Sequence, residues 1–74
     1  MLRKSTAKPR KQPIQDRSRE TVGAILEAAA RILEAEGLEA ANTNAIAARA
    51  GVSIGSLYQY FPDKVAIFAE LIRQ

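Results

Sequence analysis

Between Thr43 and Lys64 the chain gathers the side chains best suited to touching another molecule. They are Thr43, Ser53, Ser56, Tyr58, Gln59, Tyr60 and Lys64, with Ile54 and Gly55 among them. Hydroxyls, an amide and an ammonium group are hydrogen-bond donors, and no base stands among them to turn one into a nucleophile. What they offer is recognition of acceptors such as phosphate oxygens and base edges. Covalent chemistry has little to work with. The sequence has no cysteine and no histidine, which removes disulfides, Cys or His zinc sites and His-based nucleophilic catalysis. Its carboxylates are scattered over helix starts and polar faces with no paired constellation. No enzyme, metal or cofactor is therefore expected.

Those donors need elements that present them. The segment Thr43–Phe61, TNAIAARAGVSIGSLYQYF, reads as two short helices around a Gly-centred turn. Ile46, Ala50, Val52, Leu57 and Tyr60 fall at the apolar positions of a helix-turn-helix, Ala47 where its helices come closest, and Gly51 in the turn. Such a unit presents its second helix to a DNA groove. Leu57 and Phe61 face inward with Val52, which leaves Ser53, Ile54, Gly55, Ser56, Tyr58 and Gln59 at the N-terminal end and outer face. These are the positions that reach base edges in this motif.

Each residue has a chemical role to offer there. Gly55 lets backbone approach closely. Ile54 suits a thymine methyl, and Ser56 or Gln59 suits a base edge. Tyr58 combines a ring contact with a phenol donor for phosphate. Lys64 and the capping groups Asn42 and Thr43 add phosphate contacts. Structural readings stand beside these. Asn42, Thr43 and Ser53 are helix caps with or without DNA, Tyr60 sits at an apolar position and is half core, and Ile54 can cover the scaffold instead.

The flanking sequence predicts an all-α domain: a three-helix bundle with a helix-turn-helix, of the homeodomain-like kind, plus the start of a fourth helix. The first helix is expected over 16–36, capped by Asp16 or Ser18, with Val22, Ile25, Leu26, Ala29, Ile32 and Leu33 on one apolar face. Gly37 supplies its left-handed end, with Leu38 folding back on it. Gly23 weakens this helix unless a neighbour needs close approach there. The second helix is expected over 43–50, capped by Asn42 or Thr43, and the third over 54–60, capped by Ser53 and ended by Pro62. Asp63 caps a fourth helix whose apolar face is Val65, Ile67, Phe68, Leu71 and Ile72. That face is still running at Gln74, so the helix is expected to continue. The domains read as an arm over 1–15, a DNA-binding unit over 16–61, and over 62–74 the start of a helix leading to a further domain.

The 74 residues carry a net charge of +3 that is unevenly spread. Residues 1–19 hold seven basic side chains against Asp16 alone, whereas residues 20–74 hold four against seven acidic ones. The basic, Pro-containing segment 1–15 has almost nothing to bury and is expected to be disordered alone. It is either a solvated tail or an arm for phosphates and the minor groove. No run approaches a membrane span of about 20 residues, and no signal peptide follows the basic start. The cytoplasm is the expected compartment.

Two stretches, AILEAAARILEAEG (24–37) and IAARAGVSIGSLYQYFPDK (46–64), together resemble the TetR family of bacterial transcriptional repressors. The resemblance runs from about Arg17 to Leu71. It implies a three-helix DNA-binding domain followed by a larger helical domain that forms a homodimer and binds a small-molecule inducer. It further implies that Ile54, Gly55 and Tyr58 approach bases, and that Thr43, Ser56, Gln59, Tyr60 and Lys64 meet the phosphate backbone. On this reading the partner is double-stranded operator DNA, palindromic and bound by a dimer, and ligand binding releases it. Where the family usually has a threonine-rich pair, this chain has Ala41-Asn42-Thr43. A stand-alone helix-turn-helix module or a protein-interaction module showing Tyr58 and Tyr60 to a partner are the rival readings. Sequence-selective, salt-sensitive retention of duplex DNA separates them.

Overall fold

The computed structural model describes residues 13–73, with side chains from Arg17 onward. It has four helices, α1 (Pro13–Glu36), α2 (Thr43–Ala50), α3 (Ile54–Tyr60) and α4 (Lys64–Arg73), and no strand among the described residues. The expected basic arm lies outside the described residues as far as residue 12. Its far boundary needs correction, because α1 begins at Pro13 and not at Asp16 or Ser18. Proline has its φ already set for a helix and no N–H to leave unpaired, so the first turn suits it. Asp16 and Ser18 consequently lie inside the helix and not at its N-cap.

Local chemistry sets the other helix ends. Asn42, Ser53 and Asp63 each accept a backbone N–H from the third residue of the helix that follows: Ala45 at 2.8 Å, Ser56 at 3.0 Å and Ala66 at 3.0 Å. Asn42, rather than Thr43, is thus the cap of α2. At the end of α2, Gly51 takes φ 78°. Its N–H donates to Ala48 O at 3.2 Å while that of Val52 donates to Ala47 O at 3.0 Å. This two-bond closure is the Schellman motif, and it turns Val52 back onto the core. The end of α1 is simpler. Gly37, at φ 97°, makes the single bond to Leu33 O at 3.1 Å. That form does not draw the next side chain back, and Leu38 stays 57% exposed, against expectation. At the end of α3, Phe61 is extended (φ −136°, ψ 123°), the conformation that the following proline enforces.

The four largest fully buried side chains are Ile25, Ile46, Leu57 and Ile67, one from each helix. Leu26, Ala28, Ala29, Ile32, Ala41, Ala47 and Phe61 complete the core. α1 packs against both α2 and α4, and α2 carries α3. Three expected core residues are largely outside it. Leu33, at the border of the buried arc of α1, is 38% exposed, while Ala28 takes an inward position that the pattern had not singled out. Val65 and Ile72 are 69% and 84% exposed. At 100° per residue both lie on the far side of α4 from Ile67, and Ala66, Phe68 and Leu71 join Ile67 against the core. A Cβ on Gly23 would meet nothing within 4 Å, so no neighbour requires that glycine.

The contrast between Leu57 and Val65 is testable. Leu57→Ala should cost about 2–5 kcal/mol, enough to unfold much of a domain this small. Val65→Ala should change stability by no more than about 0.5 kcal/mol. Urea unfolding followed by circular dichroism checks both, and equal effects would contradict the described packing.

Candidate nucleic-acid interface

α3 has seven residues, too few to hold a helix in water alone. Leu57, fully buried, is its anchor, and Phe61 just beyond its end is 7% exposed. Ser53 fixes the first turn from outside: its Oγ accepts the Ser56 N–H at 3.0 Å and donates to Ser56 Oγ at 3.0 Å. With the inner side thus held, Ile54 (37%) and Tyr58 (49%) are exposed, as are Ser53, Gly55 and Gln59, while Ser56 and Tyr60 are half-buried.

The two tyrosines stand about 200° apart around the helix axis and turn to opposite flanks. On one flank the Tyr58 hydroxyl lies 2.9 Å from Thr43 Oγ1, at the first residue of α2. On the other, the Tyr60 hydroxyl donates to Ser18 Oγ of α1 at 3.4 Å. Because Asn42 does the capping, the Thr43 hydroxyl is available for this second use. The structure therefore brings Thr43, Ser53, Ile54, Gly55, Ser56, Tyr58 and Gln59 onto and around one exposed helix. Tyr60 is at its inner edge with the phenol directed at α1. Lys64 is half-buried at the first position of α4.

Two of these residues do nothing for the fold that another residue would not do better. Gly55 is exposed, and a Cβ there would meet only Ser53 Oγ, at 3.9 Å. Alanine would fit and would favour the helix by up to about 1 kcal/mol. Lys64 places a cation at a helix N-terminus, where the helix dipole disfavours it. α3 itself carries no charged residue. The ion pairs among the described residues, Arg31–Glu27 at 3.0 Å and Arg73–Glu70 at 3.8 Å, lie elsewhere on α1 and α4. Sequence reasoning did not find Arg17 or Ser18 near this surface. The hydrogen bond that brings Ser18 to Tyr60 joins residues 42 positions apart, and no local pattern signals it.

Among the described residues no cluster of His, Cys, Asp or Glu is placed to hold a metal ion. No described helix is long and apolar enough to cross a membrane. The family model for bacterial regulatory proteins of the tetR family matches residues 25–71, which include all of α2 and α3, most of α4 and the second half of α1. The HTH-type transcriptional repressor KstR of Mycolicibacterium smegmatis is 42% identical over 48 residues, covering 65% of this chain and 24% of that protein. KstR of Mycobacterium tuberculosis is also 42% identical over 48 residues, covering 65% of this chain and 22% of its own length. The chain thus matches about a quarter of the length of these curated relatives. No solved structure matches it. A helix-turn-helix whose second helix is anchored from within and uncharged without, inside a match that spans most of the described helices, makes this chain a member of the tetR family of bacterial regulatory proteins, which are DNA-binding regulators of transcription and not enzymes.

Proposed function

We propose that the chain is the DNA-reading part of a ligand-responsive repressor that binds a palindromic operator as a homodimer, with α3 in the major groove of each half-site. The observation that carries this reading is the concentration of costly choices on one surface. Ile54 and Tyr58 expose apolar area, Gly55 weakens its helix, and Lys64 opposes a helix dipole. Real sequences accept such local conflicts at functional sites. Docked DNA gives each a use: Ile54 against a thymine methyl, Gly55 where backbone meets base edges, and Tyr58 against bases and sugar. Lys64, Thr43, Ser56 and Gln59 supply donors for phosphates or base edges, while Ser53 and Tyr60, whose hydroxyl protons go to Ser56 and Ser18, support those contacts from behind.

The relatives named as repressors support repression as the outcome. They are about four times as long as the matched region, which leaves room for a domain that dimerises and takes an inducer. α4 is the route to that domain in our reading, and the bacterial cytoplasm, on the nucleoid, is where the protein works. A protein-interaction surface built on both tyrosines is disfavoured because Tyr60 is half-buried and its hydroxyl faces Ser18. A stand-alone DNA-binding module without a sensor is the remaining alternative.

The test uses a duplex enriched by the chain from a random-sequence library. Tyr58→Ala should weaken binding to it by about 1–3 kcal/mol, roughly 5- to 150-fold, with the fold intact. Parent-like affinity for that variant would mean that this face of α3 does not read DNA. Gly55→Ala should separate the two properties. It should raise stability by up to about 1 kcal/mol and lower DNA affinity, as read by thermal melting and fluorescence anisotropy. Unimpaired binding by Gly55→Ala would remove the close approach assigned to that position.

A further inference from the structure

The α3 flank that Tyr60 faces borders a second feature. A cleft of about 410 Å³ opens between the start of α1 and the turn and side of α3. Arg17, Ser18 and Thr21 form one wall, and Ser53, Ser56 and Gln59 stand on the other. Among residues 17–73 no carboxylate lines it, and Arg17 is the cation among them. Among the described residues Arg17 is in no ion pair.

We infer that this cleft grips a backbone phosphate of the bound duplex, held by the Arg17 guanidinium and the hydroxyls of Ser18 and Ser56. The inference rests on the reading that α3 enters DNA. It starts from the direction of the hydrogen bonds. Thr21 Oγ1 donates to the Arg17 carbonyl at 2.9 Å, so its proton is engaged. Ser18 Oγ receives the Tyr60 proton and Ser56 Oγ receives the Ser53 proton, at 3.4 and 3.0 Å. Among residues 17–73 neither receiving hydroxyl has an acceptor for its own proton. A hydroxyl that already accepts a bond is a stronger donor for the next one. Two such donors on opposite walls of a cleft that Arg17 lines, and that no carboxylate of residues 17–73 lines, select an anion. The guanidinium fork matches phosphate in particular.

Position selects which anion. Around the α3 axis, Leu57 marks the inward side, Tyr58 one flank, and Ser56 with Tyr60 the other. A helix about 10–12 Å wide nearly fills a major groove about 12 Å wide, with a phosphate strand on each side. The Thr43–Tyr58 flank faces one strand, and the cleft faces the other. The basic segment 1–12 enters α1 just before Arg17, which keeps further cations on the same side in sequence.

The test uses residues 1–74 and the library-selected duplex, with anisotropy titrations at several salt concentrations. Arg17→Gln should make the slope of log K against log salt shallower by about 0.9, the amount for one neutralised phosphate. Ser56→Ala should lower affinity several-fold without changing the slope. Arg31→Gln, on the far part of α1, should change neither. Neutral methylphosphonates placed singly along each strand then locate the contact. One position should weaken the parent while leaving Arg17→Gln unaffected. If Arg17→Gln keeps the parent slope and affinity while Tyr58→Ala binds weakly, the cleft is not a phosphate site and the α3 reading stands. If neither variant weakens binding, both fall. If the slope falls but every methylphosphonate penalises parent and variant alike, Arg17 acts only through its long-range field and the grip is refuted.

Discussion

The meeting of Ile25, Ile46, Leu57 and Ile67, one side chain from each helix, is the contact on which everything else in this domain depends. None of α2, α3 and α4 exceeds 10 residues, and none would persist in water by itself. Each exists because it contributes a fully buried group to a common point that α1 supports. The consequence is sharpest for α3. Once Leu57 is buried and Ser53 holds the first turn, the remaining positions carry little structural duty. They are free to be chosen for what lies outside.

That division shows in the charges as well. α3 has none, while Arg17 lines the cleft beside it, Arg49 stands in the last turn of α2 and Lys64 opens α4. Beyond residue 19 the chain is acidic on balance, and before it strongly basic. A polyanion is therefore not attracted uniformly. It is drawn to one end and repelled elsewhere, which favours an oriented encounter over random adhesion.

Local chemistry was legible in the sequence, and contacts between distant segments were not. Asn42, Ser53, Asp63, Gly37 and Gly51 each act on their own helix end, so residue type and spacing suffice to place them. Pro13 misled because proline marks both loops and first turns, and residue type alone does not decide between them. Val65, Ile72 and Leu33 show the limit of apolar periodicity. It finds a hydrophobic face, but the core of so short a domain covers only part of it. At the site, the exposed row of α3 followed from the inward positions of Leu57 and Phe61. The partners of the tyrosine hydroxyls did not, since Thr43 and Ser18 lie 15 and 42 residues away in the chain.

The Schellman closure at Gly51 has a mechanical meaning. It ties the first residues after α2 back to Ala47 and Ala48, and the Thr43–Tyr58 hydroxyl contact ties the two helices again farther along α3. Two fastenings at separated points remove the hinge that a short turn would otherwise provide. These bonds join α2 and α3 into one plate, like the face of a printing stamp. Its outer face meets a surface according to where the whole plate is carried, and a displacement arriving from the rest of the molecule would tilt or lift it entire.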